Sequence, residues 1–179
     1  MRSMNVLFSL VLAAPLAAQD FAPLAQASRN VYPAKQHFGV VCDYSWSREA
    51  VQNLATAVGP DARITVVDMR FADQAGRART ALQASGAEVL VLMPQDRLVR
   101  DGSFQATFFA RSLGASIPTL GTKRAAMDNG AALAIGEDTH FELMVGNQLR
   151  GIIGPVQGGG TSGMAALRMA PIEVVGLAR

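Results

Sequence analysis

The apolar positions fall into a regular alternation from residue 37 onward. Phe38–Cys42 is an apolar, β-rich run that ends at Asp43. Ser47–Val58 then carries Ala50, Val51, Leu54, Ala55 and Val58 at helical spacing, and Gly59-Pro60 stops it. Arg63–Met69 reads as a strand through Ile64, Val66 and Val67, and Ala72–Ala84 as a helix with Gly86 at its C-cap. Val89–Met93 is a continuous apolar strand stopped by Pro94, and Phe104–Leu113 is a helix stopped by Gly114. Ile117–Leu120 and Ala131–Ile135 read as strands, Thr122–Asp128 as a short helix and Thr139–Arg150 as a longer one ended by Gly151. Strands that are apolar throughout, each followed by a helix, call for a parallel sheet covered on both faces. The expected fold is α/β: a doubly wound, five-stranded parallel sheet of Rossmann-like or flavodoxin-like type.

The segments outside this alternation divide the rest of the chain. Residues 1–18 have one cation, Arg2, then an apolar run over Val6–Ala14, then Pro15 and small residues at Ala17-Ala18. That is the three-part pattern of a cleavable secretory signal. The run is too short for a bilayer, which needs about 20 residues, and no later segment is long and apolar enough to cross one. The expected location is therefore the periplasm, reached by cleavage of the signal. Residues 19–36, interrupted by Pro23 and Pro33, read as a lead-in arm with a short helix over Phe21–Ser28. The lobe is expected over 37–155. Residues 156–179 read as a Gly-rich linker and tail, in which Met164–Met169 forms a helical turn and Ile172–Val175 adds an edge strand or docks on the lobe.

Composition narrows the function. The 179 residues are 50% hydrophobic, enough for a core, and carry a formal charge of +2. The arginines are scattered, lysine occurs only at Lys35 and Lys123, and no basic run interleaved with aromatics appears, so nucleic acid is not an expected partner. A single cysteine, Cys42, permits no intrachain disulfide. It lies inside an apolar strand and reads as a buried small hydrophobe, although a homodimer linked through it is conceivable.

In an open parallel sheet, ligands bind beyond the carboxyl ends of the strands. Four loops qualify. The first holds Tyr44, Ser45 and Trp46, the only tryptophan: the rings could stack a ligand, or Ser45 and Ser47 could cap a helix while Trp46 covers the lobe. The second holds Arg70 after Asp68. The third holds Gln95 and Asp96, whose carboxylate could accept a ligand amine or hydroxyl, or satisfy backbone N–H groups as a turn residue. The fourth holds Thr122 with Lys123 and Arg124, a cationic pair that holds an anion or is merely solvated. Tyr44, Ser45, Trp46, Arg70, Asp96 and Thr122 are the candidate ligand-binding residues.

Catalytic chemistry has no comparable signal. His37 and His140 lie far apart with no further ligands at metal spacing, and Gly-x-Ser-x-Gly is absent. Gln157–Gly163 is Gly-rich but matches neither phosphate-binding loop pattern. No cofactor, no metal and no enzymatic activity are expected.

Val89–Asp96, Ser116-Ile117-Pro118-Thr119, Met127–Leu133 and Gly146–Gly151 form an ordered set of turn and packing features. Over Ala87–Gly151 the chain resembles a lobe of the periplasmic substrate-binding proteins of ABC transporters, in the type I group that includes aromatic amino-acid binders. The resemblance implies a small-molecule ligand and association with a transporter. Such proteins have two lobes and this chain has length for one, so the second wall of a cleft would come from another copy or a partner. A further similarity, over Gly130–Arg150, is to small exported regulators of membrane-bound signalling enzymes. It implies docking on a membrane sensor or transporter without a small ligand. Such docking calls for an exposed apolar face, for which Phe104, Phe108 and Phe109 are candidates, although phenylalanines so placed are more often core.

Overall fold

The computed structural model describes residues 21–135, 141–145, 148–153 and 169–177. The signal segment, the Gly-rich run Gln157–Gly163 and most of the Met164–Met169 turn lie outside them.

Eight strands form one sheet. They are β1 (His37–Cys42), β2 (Arg63–Asp68), β3 (Val89–Val91), β4 (Thr119–Gly121), β5 (Leu133–Ile135), β6 (Phe141–Val145), β7 (Gln148–Ile153) and β8 (Ile172–Gly176). Their spatial order is β7-β6-β5-β4-β3-β1-β2-β8. β1 to β5 and β8 run parallel to one another, while β6 is antiparallel to β5 and β7 is antiparallel to β6. The sheet is thus mostly parallel, consistent with a Rossmann-like α/β fold, and has eight strands rather than the five expected.

Two of the extra strands correct the helix expected over Thr139–Arg150. Phe141–Val145 and Gln148–Ile153 pair with each other from Val145↔Gln148 outward. Between them in sequence stand Gly146 and Asn147, a dipeptide suited to a two-residue hairpin. Phe141, Leu143 and Val145 alternate with Glu142 and Met144, and pairing with β5 gives this alternation a ladder to join. The helix that the family resemblance placed at Gly146–Gly151 is therefore strand β7 over its described residues from Gln148 on. The third extra strand is β8, which adds to the edge beside β2, in register from Ile64↔Ile172 to Asp68↔Gly176.

Alternate residues of the central strands feed two cores. On one face Phe38, Val40, Cys42, Ile64, Val66, Val89 and Val91 meet α1 (Ala22–Val31) and α2 (Tyr44–Val58). On the other Val41, Val67, Leu90 and Leu92 meet α3 (Ala75–Ala84), α4 (Phe104–Leu113) and α5 (Ala125–Asp128). β1 lies at the centre and is buried at every residue. Gly39 is the point of closest approach on the second face. A Cβ there would lie 2.3 Å from Leu82 Cδ1 and 2.9 Å from Ala87 Cβ, so α3 seats against bare backbone. The stretch read as an arm contributes to the first core instead: Phe21, Leu24, Ala25 and Ala27 are buried in it.

The first residue of β1 is a buried histidine. His37 Nδ1–H donates to the Gly86 carbonyl at 2.9 Å, and Nε2 accepts from Thr65 Oγ1 at 2.8 Å. Burial and the nearby Arg63 charge lower its pKa, against the opposing pull of the Gly86 carbonyl, Glu88 and Glu173. The unfolded chain therefore takes up this proton before the folded one does. Stability should be constant above about pH 6.5 and decline as the pH falls below it, until the folded ring also protonates. Urea unfolding across this range checks the sign, and His37→Gln should flatten the profile. A wild-type profile already flat between about pH 7 and 5 would show that His37 carries no such linkage.

Candidate functional site

Four loops leave the carboxyl ends of the parallel strands, and carboxylates organise them. Asp43 follows β1 and caps α2, accepting from Ser45 N–H at 3.1 Å and from the Ser45 hydroxyl. Its other oxygen meets Arg97 Nε at 2.6 Å. Burial would raise the Asp43 carboxyl, but the Ser45 hydroxyl and the Arg97 guanidinium outweigh it and hold the group below the ordinary carboxylate range. Asp68, at the end of β2, accepts Tyr44 N–H at 3.0 Å and pairs with Arg70 Nε at 3.0 Å.

Asp96, after β3, is buried and accepts four hydrogen bonds. They come from Asp43 N–H at 2.9 Å, Ser47 Oγ at 2.7 Å, and Leu98 and Val99 N–H at 2.8 Å each. It therefore does what a turn aspartate does, and more: it joins the loop after β3 to the start of α2. Asp101 serves the fourth loop in the same way, accepting Thr122 N–H at 3.0 Å and Thr122 Oγ1 at 2.6 Å. Burial pushes the Asp101 carboxyl up, and the Thr122 bonds oppose it.

The six candidate residues thus have assigned places. Tyr44 is half-buried against the first core. Ser45 is engaged by Asp43, Asp96 by the loops, and Thr122 by Asp101. Arg70 is exposed and paired with Asp68. Trp46 is 67% exposed, with its indole N–H donating to the Gln95 carbonyl at 3.0 Å. Tyr44, Ser45, Trp46, Arg70 and Asp96 belong to one linked group, while Thr122 belongs to a second one around Asp101.

Two features at this edge were not singled out from the sequence. Arg97 bonds Asp43 and also donates through Nη2 to the Arg70 carbonyl at 3.0 Å, so one side chain ties three loops. Its position directly after Asp96 was the available signal. Phe71, next to Arg70, is 55% exposed. Phe104, which heads α4, is 81% exposed, whereas Phe109 is core and Phe108 stacks edge-on against it at 5.3 Å. Trp46, Phe71 and Phe104 all stand on loops or helix starts at the carboxyl end of the sheet.

The arrangement limits the chemistry. The first N–H groups of α2, an ordinary seat for an anion, are already met by Asp43 and Asp68. Cys42 is fully buried beneath them, and burial with the charges of Asp96, Asp68 and Asp43 pushes its thiol up. It remains a thiol, and a disulfide to another chain through it would require the sheet to open. Among the described residues no group of three or more His, Cys, Asp or Glu is placed to hold a metal, and no helix is long and apolar enough to cross a membrane.

No family model, no curated protein and no solved structure matches this chain.

Asp96→Ala would leave three N–H groups without an acceptor, those of Asp43 and Val99 buried and that of Leu98 partly so, at about 1–3 kcal/mol for each buried one and not additively. Chemical unfolding should show a loss of about 3 kcal/mol or more with no ligand present. Unchanged stability would return Asp96 to the pool of ligand-binding candidates.

Proposed function

We propose that the chain is an exported, doubly wound, flavodoxin-like lobe that acts as a docking module, with the carboxyl end of its sheet as the functional face. The observation that carries this reading is the contrast at that edge. The polar side chains beneath are engaged with one another, while three large aromatic side chains, Trp46, Phe71 and Phe104, face outward. Isolated exposed rings are ordinary, but three at one end of a sheet mark an interaction surface. The strand order β2-β1-β3-β4-β5, with helices on both faces, supports the flavodoxin-like architecture. The partner would be a membrane sensor or transporter component in the periplasm, and the chemistry is binding rather than catalysis.

A second reading has one observation in its favour. The exposed Trp46 ring is pinned by its indole N–H on the Gln95 carbonyl, as a stacking platform for a small solute would be. In that case the chain is a single substrate-binding lobe of the type I, ABC-transporter kind, with its second wall supplied by another copy.

A photo-crosslinking residue placed at Trp46 or Phe104 should give a discrete protein adduct in cells. The same residue at Asp61, in the turn before β2 at the opposite end, should not. Equal adducts from all three positions would remove the docking reading. Titration of the purified protein with amino acids, small carboxylates and purines should leave Trp46 fluorescence and the melting temperature unchanged; a saturable shift in both would establish the solute-binding reading instead.

Export has its own check. N-terminal sequencing of the protein recovered from the periplasmic fraction should begin at Gln19, after Ala18. A product retained in the cytosol with Met1 in place would overturn it.

A further inference from the structure

We propose that the carboxyl edge takes an acidic segment of a protein partner, an inference that rests on the docking reading above. The argument is one of sign. Acids and bases are nearly balanced along the chain, with 14 of one and 16 of the other, but the fold sorts them at this edge. Asp43 and Asp96 are buried, Asp68 is nearly so, and Asp101 is turned toward Thr122. Arg70, Arg97, Arg100, Lys123 and Arg124 all remain exposed, the first two and the last paired with Asp68, Asp43 and Glu142, against the single exposed acid Asp73 among the described residues of these loops. The surface that meets a partner is therefore cationic, although its foundations are acidic.

The way the arginines are held points to carboxylates. Among the described residues Arg70 engages the protein through Nε alone, so its two terminal nitrogens stay open to a bidentate carboxylate. Arg100 and Lys123 form no ion pair there, and they flank the edge on the third and fourth loops. Strand spacing sets the scale: four adjacent strands, β2-β1-β3-β4, span about 15 Å. Arg70 with Phe71, Trp46, Arg97, Arg100 with Phe104, and Lys123 are distributed across that width. Arginine with tryptophan and phenylalanine is the composition of protein-interface hot spots. Rings and cations alternate along the edge, with Arg70 beside Phe71 and Arg100 four residues before Phe104.

The test is selection of a random peptide library on the immobilised full chain. Peptides rich in Asp and Glu with interspersed Phe, Tyr or Leu should be enriched. Their affinity should fall about tenfold for the double variant Arg100→Glu, Lys123→Glu, and by a similar factor for Trp46→Ala or Phe104→Ala. None of these changes removes an ion pair or a core side chain, and an unaltered melting temperature verifies that each variant is folded. Enriched peptides that need Trp46 and Phe104 but show no acidic bias would overturn this inference and leave the docking reading standing. No enrichment, or enrichment indifferent to all four substitutions, would overturn both. Phosphatidylglycerol vesicles bound in place of peptides, with binding lost on charge reversal, would overturn it in favour of a lipid surface.

Discussion

The carboxylate of Asp96 lies where the chain leaving β3 must be held against the start of α2. It meets that demand with four hydrogen bonds, three of them to backbone N–H groups. A buried charge is costly unless hydrogen-bonded on all sides, and this one is. The consequence spreads through neighbours. With Asp43 N–H fixed by Asp96, the Asp43 side chain is free to cap α2 and to receive Arg97. Arg97 in turn reaches the Arg70 carbonyl. The loops after β1, β2 and β3 are thereby set as one unit, and the exposed rings of Trp46, Phe71 and Phe104 stand on that unit.

This construction explains why the polar groups closest to the sheet already have partners within the protein. A crevice between the loops after β1 and β3 would lie where the strand order reverses, the usual place for a ligand in an open α/β sheet. Here that space is taken by Asp96 and the groups it binds. The N–H groups at the head of α2, which elsewhere attract a phosphate or carboxylate from solution, meet the protein's own carboxylates. Apart from Asp101 Oδ1, which is buried without a hydrogen-bond partner, the open groups at this edge lie further out, on arginine termini and aromatic faces.

Much of the fold could be read from the chain because its strands are apolar throughout. Phe38–Cys42, Ile64–Val67 and Val89–Val91 each have both neighbours and both faces buried, and the one polar residue among them, Thr65, is satisfied by His37. The strands over Phe141–Val145 and Gln148–Ile153 escaped because Phe141, Met144, Leu149 and Ile152 also fit a helical period. Only Gly146-Asn147 argued for a turn. At the site the sequence located the four loops but not their roles. A carboxylate after a buried strand looks the same whether its partners belong to a ligand or to backbone fifty residues away, as with Asp96 and Asp43. Arg97 was invisible for the same reason: its acceptors, Asp43 and the Arg70 carbonyl, come from two other loops.

The pairing of β2 with β8 has a kinetic side. Ile64 to Asp68 align one for one with Ile172 to Gly176, yet about a hundred residues separate the two strands. Contacts so distant along a chain form late, because the entropy of closing the intervening loop is lost before the ladder compensates for it. Until then β2 presents a row of unpaired backbone groups beside Ile64 and Val66, an open template for another chain. Of the strand pairings in the sheet this one spans the greatest separation along the chain, so the backbone edge it covers is guarded by the contact most costly in entropy to close.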